Sequence, residues 1–394
     1  MKDKNMNKLF YISVFFIFLV TPFFLERIQK FILVEPMMNP CLLQKSKLAC
    51  LLKVEGVPVR SSCFINEKIL ENKIKKGLPQ WAKNQIREDL SHFPVITKND
   101  LDRYFTQKTD PHNIIVRIKV KNKKAKMIHA APHSLPQEKM SYLHAGSVLL
   151  DVIDYLAKEN YISDTDFIIS TGDFHRVIGN EVMPLFAFAK DVSIPVEKDL
   201  ILIPDWQNLG SIYDLRKRIR STNERIAWED KKNLLFWRGR KYDSTGFRER
   251  FTSFSKKYPK LIDAEFIGID DKSKVSPFIQ PEDHLQYRYL ISIDGYRCSW
   301  ERLIWHLHSN SLVFKHKSDQ IQWFYKGIKP FVDYIPVTDE EDTLKYMAWA
   351  EKHPKEVQSI IQHSSNFVEE NLRLEDMYHY IAVLLEEYSK KLVY

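Results

Sequence analysis

Three clusters of residues have the types and spacing to do chemistry, and each follows an apolar run. The richest reads Ile291-Ser-Ile-Asp-Gly-Tyr-Arg-Cys-Ser-Trp-Glu-Arg-Leu-Ile-Trp-His-Leu307. Its apolar run stops at Ile293, Asp294-Gly295 makes a turn, and Ser299 is placed to cap a following helix. Trp300, Leu303, Ile304 and Leu307 recur at i, i+3, i+4 and i+7, the buried stripe of that helix. Ligands of open α/β sheets bind beyond the carboxyl ends of the strands, and free N–H groups at a helix start suit a diphosphate. Arg297 and Arg302 add positive charge close by. The same pattern also fits an ordinary strand-to-helix turn with a structural cap.

The second cluster is Leu234-Leu-Phe-Trp-Arg-Gly-Arg-Lys-Tyr-Asp-Ser-Thr-Gly-Phe-Arg-Glu-Arg250. Arg238 and Arg240 lie at a strand end, Arg248 and Arg250 in the first turns of the next helix. Guanidinium forks match pairs of phosphate oxygens. Neither GxxxxGK[ST] nor GxGxxG occurs, so this is not an ATP P-loop. A solvated basic loop is the competing reading, but two such loops in one half of the chain favour a shared anion site. The third cluster, Asp164-Thr-Asp-Phe-Ile-Ile-Ser-Thr-Gly-Asp173-Phe-His175, offers two things. Asp164 and Asp166 precede their strand and read as structural rather than as metal ligands. Asp173 follows it, where a carboxylate can take the proton of an acceptor hydroxyl, with His175 as the competing base.

These clusters need two α/β lobes to position them. The 394 residues suggest two domains, and 44% hydrophobic with 28% charged residues is ordinary globular composition. The net charge of +8 suits phosphate-bearing partners, or simply solubility. The run Lys119-Val-Lys-Asn-Lys-Lys-Ala-Lys126 lacks interleaved aromatics, so it reads as a solvated hairpin turn and no nucleic-acid partner is expected. Helical periodicity covers 147–160, and short apolar strands fall at 114–120, 166–170, 185–188 and 200–203, predicting a parallel first sheet. Strands at 234–237, 263–267, 289–293, 311–314 and 331–335 alternate with helices at 247–257 and 300–308. Three helices, 340–352, 354–363 and 372–391, close the chain. The boundary falls near 205–230, giving an N-terminal lobe over 81–215 and a C-terminal lobe with closing helices over 216–394.

Leu9 to Leu25 carries no charge and follows Lys2, Lys4 and Lys8. It is expected to be an uncleaved signal anchor within residues 1–30, leading into a stalk over 31–80, with the side of the membrane left open. A cleaved signal peptide and an interfacial helix are the alternatives. The four cysteines fit no zinc pattern; two of Cys41, Cys50 and Cys63 can pair in an extracytoplasmic setting, or all four stay reduced.

Beyond spacing, the stretch from Tyr287 to Val337 resembles glycosyltransferase family 90, the family of capsule-associated proteins, protein O-glucosyltransferases and lipopolysaccharide-modifying enzymes. The matching pieces are Tyr289-Leu-Ile-Ser-Ile-Asp-Gly295, Ser309-Asn-Ser-Leu-Val-Phe-Lys315, Asp319-Gln-Ile-Gln-Trp-Phe-Tyr325, Ile328-Lys-Pro330 and Tyr334-Ile-Pro-Val337. Phe236-Trp-Arg-Gly239 resembles the family's Arg-Gly motif, and Asp166 to Asp173 its catalytic-aspartate segment. The similarity runs from about Trp81 to the end and looks closer to bacterial members than to lumenal eukaryotic ones. It implies a GT-B-like fold of two Rossmann-like lobes around a cleft, a UDP-sugar co-substrate, no metal or other cofactor, and inversion at the anomeric carbon. Asp173 maps to the family's base, and Arg238, Gly239, Arg248, Asp294, Gly295 and Ser299 to the donor side. Arg302 joins them with a departure, because Ser299-Trp-Glu-Arg302 is one residue longer than the family's Ser-x-Arg. Arg240 stands where serine is common after Arg-Gly, and Asp173-Phe-His175 lacks the proline of many members. The implied reaction moves a glucose- or xylose-class sugar to a hydroxyl of a glycan, lipopolysaccharide or protein. A non-catalytic glycan- or anionic-lipid-binding protein of the same fold is the alternative.

Overall fold

The computed structural model describes residues 61–106, 114–131, 140–172, 183–268 and 278–393. The chain divides into two compact units, Met1–Val59 and Arg60–Tyr394, and all described residues belong to the second. The expected anchor, Cys41, Cys50, Asp173 and His175 lie outside the described residues. Among the described residues, no helix is long and apolar enough to cross a membrane.

The elements run α1 (Glu67–Lys76), α2 (Gln80–Ser91), β1 (Ile96–Thr97), α3 (Lys98–Thr106), β2 (Ile115–Lys121), β3 (Lys124–Ala131), α4 (Met140–Lys158), β4 (Thr165–Ser170), β5 (Leu185–Ala187), β6 (Lys190–Asp191), β7 (Ile201–Leu202) and α5 (Trp206–Asn223). They continue with β8 (Lys232–Gly239), α6 (Phe247–Ser255), β9 (Ile262–Phe266), α7 (Pro281–His284), β10 (Tyr287–Ser292), α8 (Arg302–Leu307), β11 (Leu312–His316), β12 (Gln320–Ile321) and β13 (Ile335–Val337). The chain closes with α9 (Glu340–Lys352), α10 (Pro354–Asn371), α11 (Leu374–Ser389) and β14 (Leu392–Val393).

The first sheet has the order β3-β2-β4-β5-β7. It is mixed, not parallel as expected: β2 runs antiparallel to β3 and β4, and only β4, β5 and β7 are parallel. The lysine-rich run explains the departure. Asn122 and Lys123, at φ 53° and 62°, make the two-residue turn that joins β2 to β3, and such a turn can only link antiparallel neighbours.

The second sheet, β13-β11-β10-β8-β9, is parallel throughout. Successive side chains of a strand face opposite ways, and here both faces are covered. Tyr289 and Ile291 of β10 pack with Leu235, Trp237 and Phe251 and with Val357 and Ile360 of α10. Leu290 faces the other way, onto Phe236, Trp305 of α8, and Leu215 and Ile219 of α5. The strand expected at 331–335 forms later, at Ile335–Val337. Phe331 adopts φ 60°, and the Asp333 carboxylate accepts the Lys329 amide at 2.7 Å, so that stretch is a turn.

Two segments expected elsewhere belong to the first lobe. Residues 61–76, placed by sequence in a stalk, are packed: Leu70 is fully buried, the Ser61 and Tyr378 hydroxyls lie 2.7 Å apart, and the Asn66 amide donates to Glu375 at 3.0 Å. Helix α11, expected to close the second lobe, packs on the first sheet. Tyr388 meets Phe186 edge-on at 5.0 Å, the Tyr380 hydroxyl donates to the Leu202 carbonyl at 3.3 Å, and β14 pairs in parallel with β1. The helix is enclosed nearly all round, with Met377 through Ala382 buried without a break, as a helix in the middle of a core is.

The two sheets share an apolar cluster in which Leu303, Ile304 and Val313 join the residues of the first sheet, and polar and aromatic contacts add to it. β6 pairs antiparallel with β12, Arg297 donates to Glu197 with two nitrogens at 2.6 and 2.7 Å, and Trp300 meets Phe188 edge-on at 6.2 Å.

Candidate active site: two arginines at the strand ends

Strand β8 ends at Gly239 because the chain must turn where Trp237 leaves no room. A side chain on Gly239 would begin 2.4 Å from the Trp237 indole. The loop that follows is fixed by Asp243, whose carboxylate accepts the amides of Gly246 and Arg248 at 2.9 Å each and so caps α6. Gly246 takes φ 68°, the left-handed region where glycine is favoured.

Arg248 then turns its side chain back under the loops. It donates to the carbonyls of Arg240 at 3.0 Å, Tyr242 at 3.1 Å and Ile293 at 2.9 Å. One guanidinium thus ties the loop after β8 to the end of β10. Gly295 lets it pass, since a side chain there would begin 3.2 Å from Nη2. Every acceptor is a neutral carbonyl, and among the described residues no carboxylate lies within ion-pair distance of Arg248. Burial, then the like charge of Arg302, brings its pKa down to about 10.

Asp294 folds the loop after β10. Its carboxylate accepts the Ser299 amide at 3.0 Å and the Ser318 hydroxyl at 2.6 Å, and faces Lys315 at 3.4 Å. Ser299 does not cap the helix. Its hydroxyl lies 2.8 Å from that of Ser292, and α8 begins only at Arg302, with Glu301 in the capping position and no side-chain cap bond. Trp300 causes the delay: it adopts φ 49°, a left-handed conformation that breaks helical geometry and is rare for a bulky residue.

That delay sets the direction of Arg302. Its Nη1 is buried with no hydrogen-bond partner. Nε of Arg248, Nδ1 of His284 and both ring nitrogens of His306 are likewise buried without partners. Both histidines are held neutral, His284 at about 3 and His306 well below its usual value, by burial and then chiefly by Arg302. Glu301 faces Arg302 and the Asp205 carboxyl, and burial with that like charge pushes it up to about 7. The site therefore holds positive charge that its own carboxylates leave largely unneutralised. Buried donors without partners are costly, and an anion bound between the two loops would satisfy them.

Other residues singled out by sequence stand apart. Arg238 is committed sideways, 2.7 Å from Asp263 and 3.6 Å from Glu265 on β9, and lies over the Phe236 ring. Asp166 is bound by Arg117 at 2.7 and 2.9 Å, and Asp164 accepts the Asn122 amide, so neither is available to a metal. Cys63 is disulfide-bonded and Cys298 is a buried free thiol. Sequence reading passed over Lys315 as a site residue and did not foresee the Glu197–Arg297 pair. Lys315 carried a usable signal, a lone charge closing the apolar strand β11; the pair carried none, because its partners are a hundred residues apart.

A parallel α/β sheet with two arginines in the helix starts beyond its strand ends is an arrangement suited to an anion. The sequence model of glycosyl transferase family 90 matches residues 79–394, and the chain belongs to that family. It is 25% identical to protein O-glucosyltransferase 2 of Danio rerio over 354 residues, covering 79% of this chain and 64% of that protein. It is 27% identical to O-glucosyltransferase rumi of Drosophila melanogaster, covering 59% and 62%, and 28% identical to protein O-glucosyltransferase 1 of Rattus norvegicus, covering 59% and 64%. The chain thus spans somewhat less than two thirds of the length of these relatives. All three are animal proteins and lend no support to the bacterial-type expectation. A solved structure, Anabaena HepE in complex with UDP, aligns with a TM-score of 0.35 at 8% identity, covering 52% of this chain and 72% of that one.

Proposed function

We propose that the chain is an inverting glycosyltransferase that uses a UDP-sugar, with a GT-B-like cleft between an acceptor-side lobe over 81–215 and a donor lobe over 216–394. The observation that carries this reading is the pair Arg248 and Arg302. Arg248, buried and holding the loops, and Arg302, with a buried Nη1 that has no partner, stand at neighbouring helix starts and suit a diphosphate leaving group. Family membership supports sugar transfer as the chemistry.

In this reading Asp173, three residues beyond β4, accepts the proton of an acceptor hydroxyl. The hydroxyl oxygen forms its bond to C1 on the face opposite the diphosphate. The C1–O bond breaks, its electron pair leaves on the β-phosphate of UDP, and Arg302 faces the charge that develops. Asp294, Gly295 and Ser299 shape the loop, while Arg238 and Gly239 hold the strand end beneath it. No metal takes part in the proposed reaction; the sugar is of the glucose or xylose class, the acceptor a glycan, lipopolysaccharide or protein, and residues 1–30 anchor the enzyme to a membrane.

The test is a screen of UDP-sugars for hydrolysis and transfer, with and without a chelator. Asp173→Asn is expected to lose turnover while keeping UDP affinity. Full activity in that variant overturns the role of Asp173. UDP binding with no turnover on any UDP-sugar favours a binding protein instead.

A further inference from the structure

The turn that joins α6 to β9 is a run of six exposed residues, Lys256-Lys-Tyr-Pro-Lys-Leu261. Tyr258 and Leu261 are 38% and 42% exposed. The backbone holds them there. The Tyr258 amide donates to the Ser255 carbonyl at 2.9 Å, the Leu261 amide to the Tyr258 carbonyl at 2.9 Å, and the Leu235 amide to the Leu261 carbonyl at 2.8 Å. Phe254 backs the Tyr258 ring, with centroids 4.9 Å apart. Among the described residues, none of Lys256, Lys257 and Lys260 has a carboxylate within ion-pair distance. Strand register extends this charge. Ile262 pairs with Leu235 of β8, and Tyr287 of β10 pairs with Lys232, so exposed Lys232 and half-buried Arg288 stand beside the turn. Acids nearby, at Glu229, Asp230 and Asp283, are fewer than these cations.

The other edge strand has a matching turn. Phe331 and Val332, just before β13, are 51% and 39% exposed, and Lys329 beside them is exposed too. Phe331 sits at φ 60°, its amide donating to the Tyr334 carbonyl at 2.7 Å. A bulky residue kept in that region with half its surface in water carries a strain that burial does not offset. The sheet is parallel, so the turns before β9 and β13 both lie at its amino end. In the order β13-β11-β10-β8-β9, four strand spacings separate them, about 19 Å.

We propose that the amino end of the second sheet docks on an anionic lipid bilayer. Tyr258, Leu261, Phe331 and Val332 enter the headgroup layer, and Lys256, Lys257 and Lys260 meet lipid phosphates. Three observations argue for a bilayer. Apolar side chains stand on pinned turns at both edges of the sheet, a footprint for a flat surface rather than for a peptide in a groove. Lysines bracket the apolar residues, so ammonium groups reach the headgroups while the tyrosine and leucine side chains sit deeper. The strand carboxyl ends, where Arg248 and Arg302 stand, point the opposite way, so docking leaves that site open to solvent. The inference needs neither the transfer reaction nor the anchor proposed for residues 1–30. An acidic protein is the rival partner.

The experiment places a reporter, Tyr258→Trp, in the full chain and mixes it with vesicles whose acyl chains carry bromine, which quenches tryptophan on contact. The vesicles are phosphatidylcholine alone or phosphatidylcholine mixed with phosphatidylglycerol. Residues 1–59 contain no tryptophan, so insertion of that segment adds no signal. The emission gained with the reporter should be quenched on phosphatidylglycerol vesicles, spared on phosphatidylcholine alone, and spared again in strong salt. Adding K256E/K257E/K260E should raise the lipid concentration needed for quenching by about a hundredfold and leave the melting temperature unchanged, since the three lysines are exposed. No quenching on phosphatidylglycerol vesicles, equal quenching on both kinds, or unchanged quenching after charge reversal overturns the proposal. So does capture by immobilised polyglutamate without quenching on vesicles, which assigns the cations to an acidic protein. No sugar nucleotide enters the assay, so failure of UDP-sugar turnover bears on the enzymatic reading alone.

Discussion

Arg302 brings a positive charge into a buried setting without a hydrogen-bonded counter-charge, and the free protein bears that cost. Arg302→Met keeps the side-chain volume and removes the charge. The melting temperature without ligand should stay level or rise, while UDP affinity falls by about a hundredfold, the loss of one charge-assisted contact of about 3 kcal/mol. Calorimetric titration and thermal melts read the two effects separately. A variant that loses stability and keeps affinity would make Arg302 structural.

Glu301, next to it, gives a pH signature. A glutamate ordinarily titrates near 4.5, and here burial and the Asp205 carboxyl hold it up to about 7, against the opposing pull of Arg302. The folded state therefore disfavours the ionised form. Stability is complete below the ordinary value, falls as pH rises from about 4.5 to about 7, and stays lower above that. Glu301→Gln should flatten this decline. The melting-temperature difference between variant and unmodified chain should grow across that window, and a constant offset at all pH values would refute the assignment.

At the scale of elements, Gly239→Ala tests the close approach of Trp237 to the end of β8. With 2.4 Å between the new carbon and the indole, the strand end must shift, at about 1–3 kcal/mol in denaturant unfolding. Four strands of the second sheet, β8 to β11, were readable from sequence to within two residues, because strands buried on both faces are apolar runs closed by turn residues. The first sheet was misread as parallel because a hairpin and a crossover leave similar apolar strands. The Lys119–Lys126 run was read as a hairpin turn and forms one at Asn122-Lys123, but its consequence, an antiparallel strand inside the sheet, was not carried into the sheet expected there. In the site, strand-end position led to Arg248, Asp294 and Arg302, which the fold gathers around the loops after β8 and β10. The partners of Arg238 on β9 could not be paired with it before the strand order was known, and the capping expected of Ser299 fails because Trp300 takes a left-handed conformation.

For the whole molecule, the ties between lobes determine how it comes apart. The Glu197–Arg297 pair is buried and bidentate, and β6 with β12 extends the connection. Glu197→Ala strands a buried guanidinium, at about 3–5 kcal/mol. With these ties and α11 reaching back, residues 60–394 should unfold in one calorimetric transition. Two resolved transitions, one for each sheet, would contradict that coupling.

The return of α11 also orders events during synthesis. The second sheet and the helices on it, α5 through α10, are all translated before residue 374, so that half has every part it needs while the chain is still growing. The half that leaves the ribosome first waits for α11, because Met377, Ile381, Leu384 and Tyr388 seal its interior. The usual rule of N-terminal domains folding first is therefore reversed. A nascent chain paused before residue 374 should expose the apolar floor of β4, β5 and β7, making the interval before α11 emerges a stage at which this protein needs a chaperone.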